Sequence, residues 1–177
     1  MPSARTHDAV TFLLAAPAFA ASYGITKNIL ASLIVAAAFV FGGLMFGPDL
    51  DTVSRQYSRW SVFRLLWLPY RSFFKHRSRF SHGLIFGALI RVFYFCGVLT
   101  LVGSAVMYGY AAYSGGRAPG IADIAAVWRP IDDTLQRYFG GRIYILGFIG
   151  IWLGAASHTF TDLAGSFIKT GRVAKFL

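Results

Sequence analysis

The sequence predicts an all-α protein: an integral membrane bundle of about four transmembrane helices, with an amphipathic segment at the membrane interface. Three observations lead there. The 177 residues are 56% hydrophobic and 17% aromatic, with a mean hydropathy of +0.56, more apolar than a soluble domain of this length requires. The apolar residues gather into runs at 9–24, 28–46, 83–113 and 142–157, the first shorter than the rest, against the ~20 residues that cross a bilayer. The basic residues between the runs are unevenly placed, which orients them.

The first run, 9–24, has two readings. Arg5, the apolar stretch and Ala18-Phe19-Ala20 resemble a cleavable signal peptide, whereas Asp8 beside the run and the thin basic flank favour a retained helix, kinked at Pro17. The second run, 28–46, ends where Gly47-Pro48 breaks it. The loop 47–82 carries Arg55, Arg59, Arg64, Arg71, Lys75, Arg77 and Arg79 against Asp49 and Asp51, so it is expected on the cytoplasmic side. Within it, residues 59–75 alternate arginines with Trp60, Phe63, Leu66, Trp67 and Phe74. They read as a segment lying flat in the interface and broken at Pro69, or as an ordinary positive-inside loop with aromatic anchors.

The third run, 83–113, is longer than a span needs, so its cytoplasmic end is expected to reach the interface, with Arg91 snorkelling. Cys96 inside it is alone and forms no disulfide within the chain. The distal connection, 114–140, balances Arg117, Arg129 and Arg137 with Asp123, Asp132 and Asp133. After the fourth run the tail, 158–177, adds Lys169, Arg172 and Lys175. Both termini are therefore expected in the cytoplasm, with most of the +10 net charge on one face, suited to anionic lipid headgroups. Nothing resembles a nucleic-acid module. Gly43–Gly47, Gly83–Gly87 and Gly150–Gly154 have the small-xxx-small spacing that lets helices approach closely.

On this topology His7 and Asp8 precede the first helix, Asp49 and Asp51 follow the second, His76 and His82 precede the third, and His158 and Asp162 follow the fourth. All four histidines and four of the seven acids thus fall on one face. His158 and Asp162, four apart, share a side of a continuing helix. Asp49 and Asp51 alternate along a turn where both can face one centre. His76 and His82 point apart on a regular helix, but Ser81 and Gly83 suggest a turn that brings them round. Singly, each motif is commonly a solvated turn or an interfacial side chain. Together they predict a metal site of His7, Asp49, Asp51, His76, His82, His158 and Asp162. Imidazole and carboxylate without thiolate suit a divalent transition metal, Zn foremost with Mn or Fe as alternatives, as one or two ions.

The stretches "SARTHD", "FGGLMFGPDLD", "HRSRFSHG" and "HTFTDL" resemble cyanobacterial metal-binding membrane proteins of unassigned function. These are in turn similar to inner-membrane-associated metal-dependent hydrolases, whose pattern is an N-terminal His, P-D-x-D, H-R-x3-S-H and a final H-x3-D. The resemblance implicates the same seven residues and adds hydrolysis, which spacing does not supply. It departs at Ser78, Arg79 and Phe80, where the wider group commonly has a small residue and Thr. On this footing the expected substrate is an ester or phosphoester of a membrane lipid at the cytoplasmic face. Asp8 is the expected general base, with Lys75, Arg77 and Arg79 holding an anionic headgroup. The alternative is a non-enzymatic metal protein with a structural or assembly role. The ligand count exceeds a closed four-ligand zinc site, and no ionisable ladder crosses the membrane as transport would need.

Overall fold

A computed structural model describes residues 2–74, 83–84 and 86–171 of the chain. The described residues form helices and their connections, with no strand among them. In order these are α1 (Ala4–Thr26), α2 (Ile29–Leu44), a 3₁₀ turn (Pro48–Asp51), α3 (Arg55–Arg59), a 3₁₀ segment (Ser61–Trp67), α4 (Leu68–Phe73), α5 (Phe86–Ser114), α6 (Ile121–Ala126), α7 (Arg129–Phe139) and α8 (Ile143–Thr170). Four stretches are long and apolar enough to cross a membrane: Ala4–Thr26, Ile29–Asp51, Phe86–Ser114 and Ile143–Thr170. They correspond to the four apolar runs.

The boundaries move where polar side chains stabilise a helix end. Ser3 caps α1, its hydroxyl accepting from the Thr6 amide at 3.2 Å, so His7 and Asp8 lie within the helix rather than before it. The fourth helix does not stop at Ser157. Hydroxyls of Ser157 and Thr161 bond back to the carbonyls of Gly154 and Ser157, and the helix continues to Gly171, whose φ of 66° ends it. The distal connection is not open chain but holds α6 and α7, the latter opened by Pro130.

The bundle is closed by glycine. A Cβ on Gly42 would lie 2.3 Å from the Ile151 carbonyl oxygen, one on Gly150 2.6 Å from that of Val35, and one on Gly154 2.0 Å from that of Phe39. Only hydrogen at these positions lets α2 and α8 pack backbone to backbone. Gly43 makes the same room for Thr11 of α1. The small-residue spacing around Gly150 and Gly154 is thus the seam of the α1–α2–α8 core.

Beyond α2 the chain folds back over the helix end. Phe46, Leu50, Tyr57, Trp67 and Tyr70 form one buried cluster, with Trp67 stacked on Phe95 of α5 at a ring separation of 5.6 Å. Val62, Phe63, Leu65 and Phe73 stay exposed. The segment therefore presents one apolar side inward and another outward. Pro69 does not break a helix; it sits in the first turn of α4, where its missing N–H costs nothing.

Arg91 departs from the expected snorkel. It is 2% exposed, beside the Tyr70 hydroxyl and within electrostatic reach of Asp51 and Asp49, because a buried guanidinium needs such partners. The buried residues of α5 end there. Farther along, Phe93, Leu101, Val106, Tyr110 and Tyr113 are exposed.

Candidate metal centre

Close packing of α2 on α8 brings three separate segments together one turn beyond Gly154. Here α1 contributes His7, α8 contributes His158 and Asp162, and the 3₁₀ turn contributes Asp49. His7, His158 and Asp162 are 7%, 3% and 3% exposed, and one donor atom from each lies within 4.8 Å of the others. His7 Nε2 is 3.3 Å from Asp162 Oδ1. His158 Nε2 is 3.7 Å from Asp162 Oδ2 and 3.3 Å from Asp49 Oδ2. The two imidazoles are stacked, with centroids 3.8 Å apart and planes inclined by 12°.

These contacts do not satisfy the groups that make them. Among the described residues, His7 Nδ1, His158 Nε2 and Asp162 Oδ1 are buried without a hydrogen bond, an arrangement that costs about 1–3 kcal/mol per neutral group and more for a charged one. A cation held at this point would engage the His158 and Asp162 atoms directly. The donor set, imidazole nitrogen and carboxylate oxygen without sulfur, suits a divalent transition metal. These residues therefore fit the group, with His7, His158 and Asp162 as its holders and Asp49 within reach.

Gln56, buried at the start of α3, supports the ring of His158. Its amide nitrogen donates to the Gly43 carbonyl at 2.8 Å and lies 3.2 Å from His158 Nδ1. A Cβ on Gly47 would strike this amide at 2.3 Å, so that glycine makes its room. The amide thus occupies the Nδ1 side of the ring and leaves Nε2 facing the carboxylates. Gln56 begins a set of three caps. Gln56, Arg59 Nη1 and Trp60 Nε1 donate in turn to the carbonyls of Gly43, Leu44 and Met45, each at 2.8 Å, satisfying the acceptors that end α2.

A cavity of about 210 Å³ opens from His158, lined also by Ala4, Asp8, Asp49, Ser54, Arg55 and Arg59. Asp8 lines it as expected of a residue beside a ligand, but its Oδ2 is bound by Arg59 Nη2 at 2.6 Å and approached by Arg55 Nη1 at 3.6 Å. A larger cavity of about 430 Å³ near Asn28 and Arg142 has no histidine or acid in its lining, and carries none of this chemistry.

Of the seven expected ligands, the structure brings together His7, His158 and Asp162, with Asp49 adjoining. Asp51 is buried in the same turn and acts on Arg91 and Tyr70. His76, His82, Lys75, Arg77 and Arg79 lie outside the described residues. Sequence reasoning missed Gln56 and the parts played by Arg55, Arg59 and Arg91. Only the i, i+3, i+4 spacing of Gln56, Arg59 and Trp60 could have hinted at the caps.

The family described as "Uncharacterized metal-binding protein (DUF2227)" matches residues 2–172. No curated protein matches the chain, and no solved structure does.

Proposed function

Since the chain belongs to that metal-binding protein family, we propose that the His7–His158–Asp162 centre holds a divalent transition metal, zinc foremost, and serves a hydrolase acting on an ester or phosphoester of a membrane lipid. The observation that carries this reading is the convergence of buried, unbonded donor atoms at the head of a cavity. Four membrane-length helices support a lipid substrate. The positive-inside distribution supports a cytoplasmic site with both termini on that side.

When bound, a cation of this class makes water acidic enough to lose a proton near neutral pH and polarises the scissile group. The chain does the rest. His7, His158 and Asp162 fix the centre, and Gln56 fixes the ring of His158. Asp8 shares the cavity with His158 and is the proposed proton acceptor, oriented by Arg59. Arg55 at the cavity, with Lys75, Arg77 and Arg79 later in the sequence, supplies cations for an anionic headgroup. The burial of the centre favours a second reading, in which the metal serves structure or the assembly of a membrane complex.

Elemental analysis of detergent-purified protein tests the metal, and product release from mixed anionic lipid vesicles tests the chemistry. At least one equivalent of transition metal is expected, with turnover that requires it and is abolished in His158→Ala without loss of the folded state. Metal below a tenth of an equivalent that is not regained on reconstitution would overturn the centre. Bound metal without turnover on any lipid, together with collapse of the bundle in His158→Ala, would establish the structural reading.

A further inference from the structure

The geometry points to two metal ions rather than one. We propose that the Asp162 carboxylate bridges a pair of divalent cations, with His7 on the first and His158 with Asp49 on the second. The inference rests on the reading of this cluster as a metal centre and specifies its nuclearity and the division of its ligands.

The stacked rings carry the argument. An imidazole nitrogen offers its lone pair in the plane of the ring. Rings inclined by 12° with centroids 3.8 Å apart therefore hold their lone pairs in two nearly parallel planes, separated by up to about that distance. One ion midway between the planes would stand up to about 1.9 Å off each, a large part of a Zn–N bond of about 2.0–2.1 Å, and so out of line with both in-plane lone pairs. Two ions, each in the plane of its own ring, can stand about as far apart as the rings do. That spacing falls within the ~3.5–4 Å of two-metal sites.

The carboxylates divide in the same way. Asp162 turns Oδ1 to His7 Nε2 at 3.3 Å and Oδ2 to His158 Nε2 at 3.7 Å. Each oxygen thus addresses a different ring, the disposition a bridging carboxylate requires. Asp49 Oδ2 joins on the His158 side alone, at 3.3 Å. That side is the one open to the cavity, so the His158 ion meets the substrate and the His7 ion lies behind it.

Mn(II) titration of the chelator-stripped full chain in detergent tests this, read by bound equivalents after dialysis and by electron paramagnetic resonance. Two equivalents are expected, with the hyperfine pattern of an exchange-coupled pair in place of that of isolated ions. His7→Ala should bind one equivalent with an isolated-ion spectrum, and Asp162→Asn should show no coupled signal. If His7→Ala does not fold, the wild-type spectrum alone decides. A single equivalent, or two without coupling, would overturn the bridged pair while leaving a metal centre in place. No bound Mn(II), Zn(II) or Fe(II) would overturn the centre itself.

Discussion

Replacing Gly154 by alanine should separate the helices and disarm the site from outside it. The added Cβ would lie 2.0 Å from the Phe39 carbonyl oxygen and 2.7 Å from the Gly43 amide nitrogen. Both are backbone atoms in α2, so neither can swing away. Restoring ordinary contact at 3.4 Å requires an opening of 3.4 − 2.0 = 1.4 Å. His158 is one turn farther along the same helix, so much of that shift reaches its 3.3 Å contact with Asp49. Overpacking of this kind costs about 1–3 kcal/mol, offset by up to about 1 kcal/mol of helix propensity. At about 2–4 °C per kcal/mol for a chain of this size, a net cost of about 0–2 kcal/mol lowers Tm by up to about 8 °C. Metal affinity should fall by about 10–100-fold, as when a ligand loses its support. Gly147→Ala is the matched control, because nothing lies within 4 Å of its Cβ and only the propensity gain remains. The assay is thermal unfolding and metal titration of both variants in one detergent. If Gly154→Ala matches Gly147→Ala in Tm and metal affinity, the close approach of α2 and α8 does not build the site.

Gln56→Leu should strand the Gly43 carbonyl and free the ring of His158; metal titration should show affinity about 10–100-fold weaker, and denaturation of the metal-free protein a loss of about 1–3 kcal/mol. Burial pushes the Tyr70 phenol up, outweighing the downward pull of Arg91. The unfolded chain therefore gives up that proton first, and the stability held by the neutral phenol is full below about pH 10 and lost as pH rises through the raised value. Tyr70→Phe should flatten this alkaline decline in denaturant melts. On a Cys96→Ser background, Arg55→Cys and Arg117→Cys should react with impermeant thiol reagent from opposite sides of the membrane; labelling from the same side would refute the proposed orientation.

The four long helices were legible because long apolar runs survive any tertiary rearrangement. The glycine seam was legible for a related reason: Gly150 and Gly154 share a helix face whatever that face meets. His158 and Asp162 could be paired from spacing alone, since four residues make one turn. What the sequence hid depends on partners distant along the chain. Arg59 looks like one more positive-inside charge, and only the fold shows the Leu44 carbonyl and the Asp8 carboxylate waiting for it. Arg91 looked like a snorkelling side chain because the acids and tyrosine that receive it come from loop residues tens of positions earlier. Asp49 and Asp51 seemed equivalent in P-D-L-D, yet the 3₁₀ turn places Asp49 beside His158 and Asp51, which acts the more strongly on Arg91, within reach of Tyr70.

The end of α2 and the imidazole of His158 hang on the same amide. Residues 43–60 therefore cannot lift from the bundle without disturbing the ring of His158, so local opening of this segment and departure of the ion belong to one equilibrium. A cation that binds only the closed form at a hundredfold excess over its Kd deepens that form by about 2.7 kcal/mol. Backbone amides of the segment should accordingly exchange with deuterium about a hundredfold faster once the ion is stripped, while those of α5 beyond Arg91, which share no group with the centre, should keep their rates.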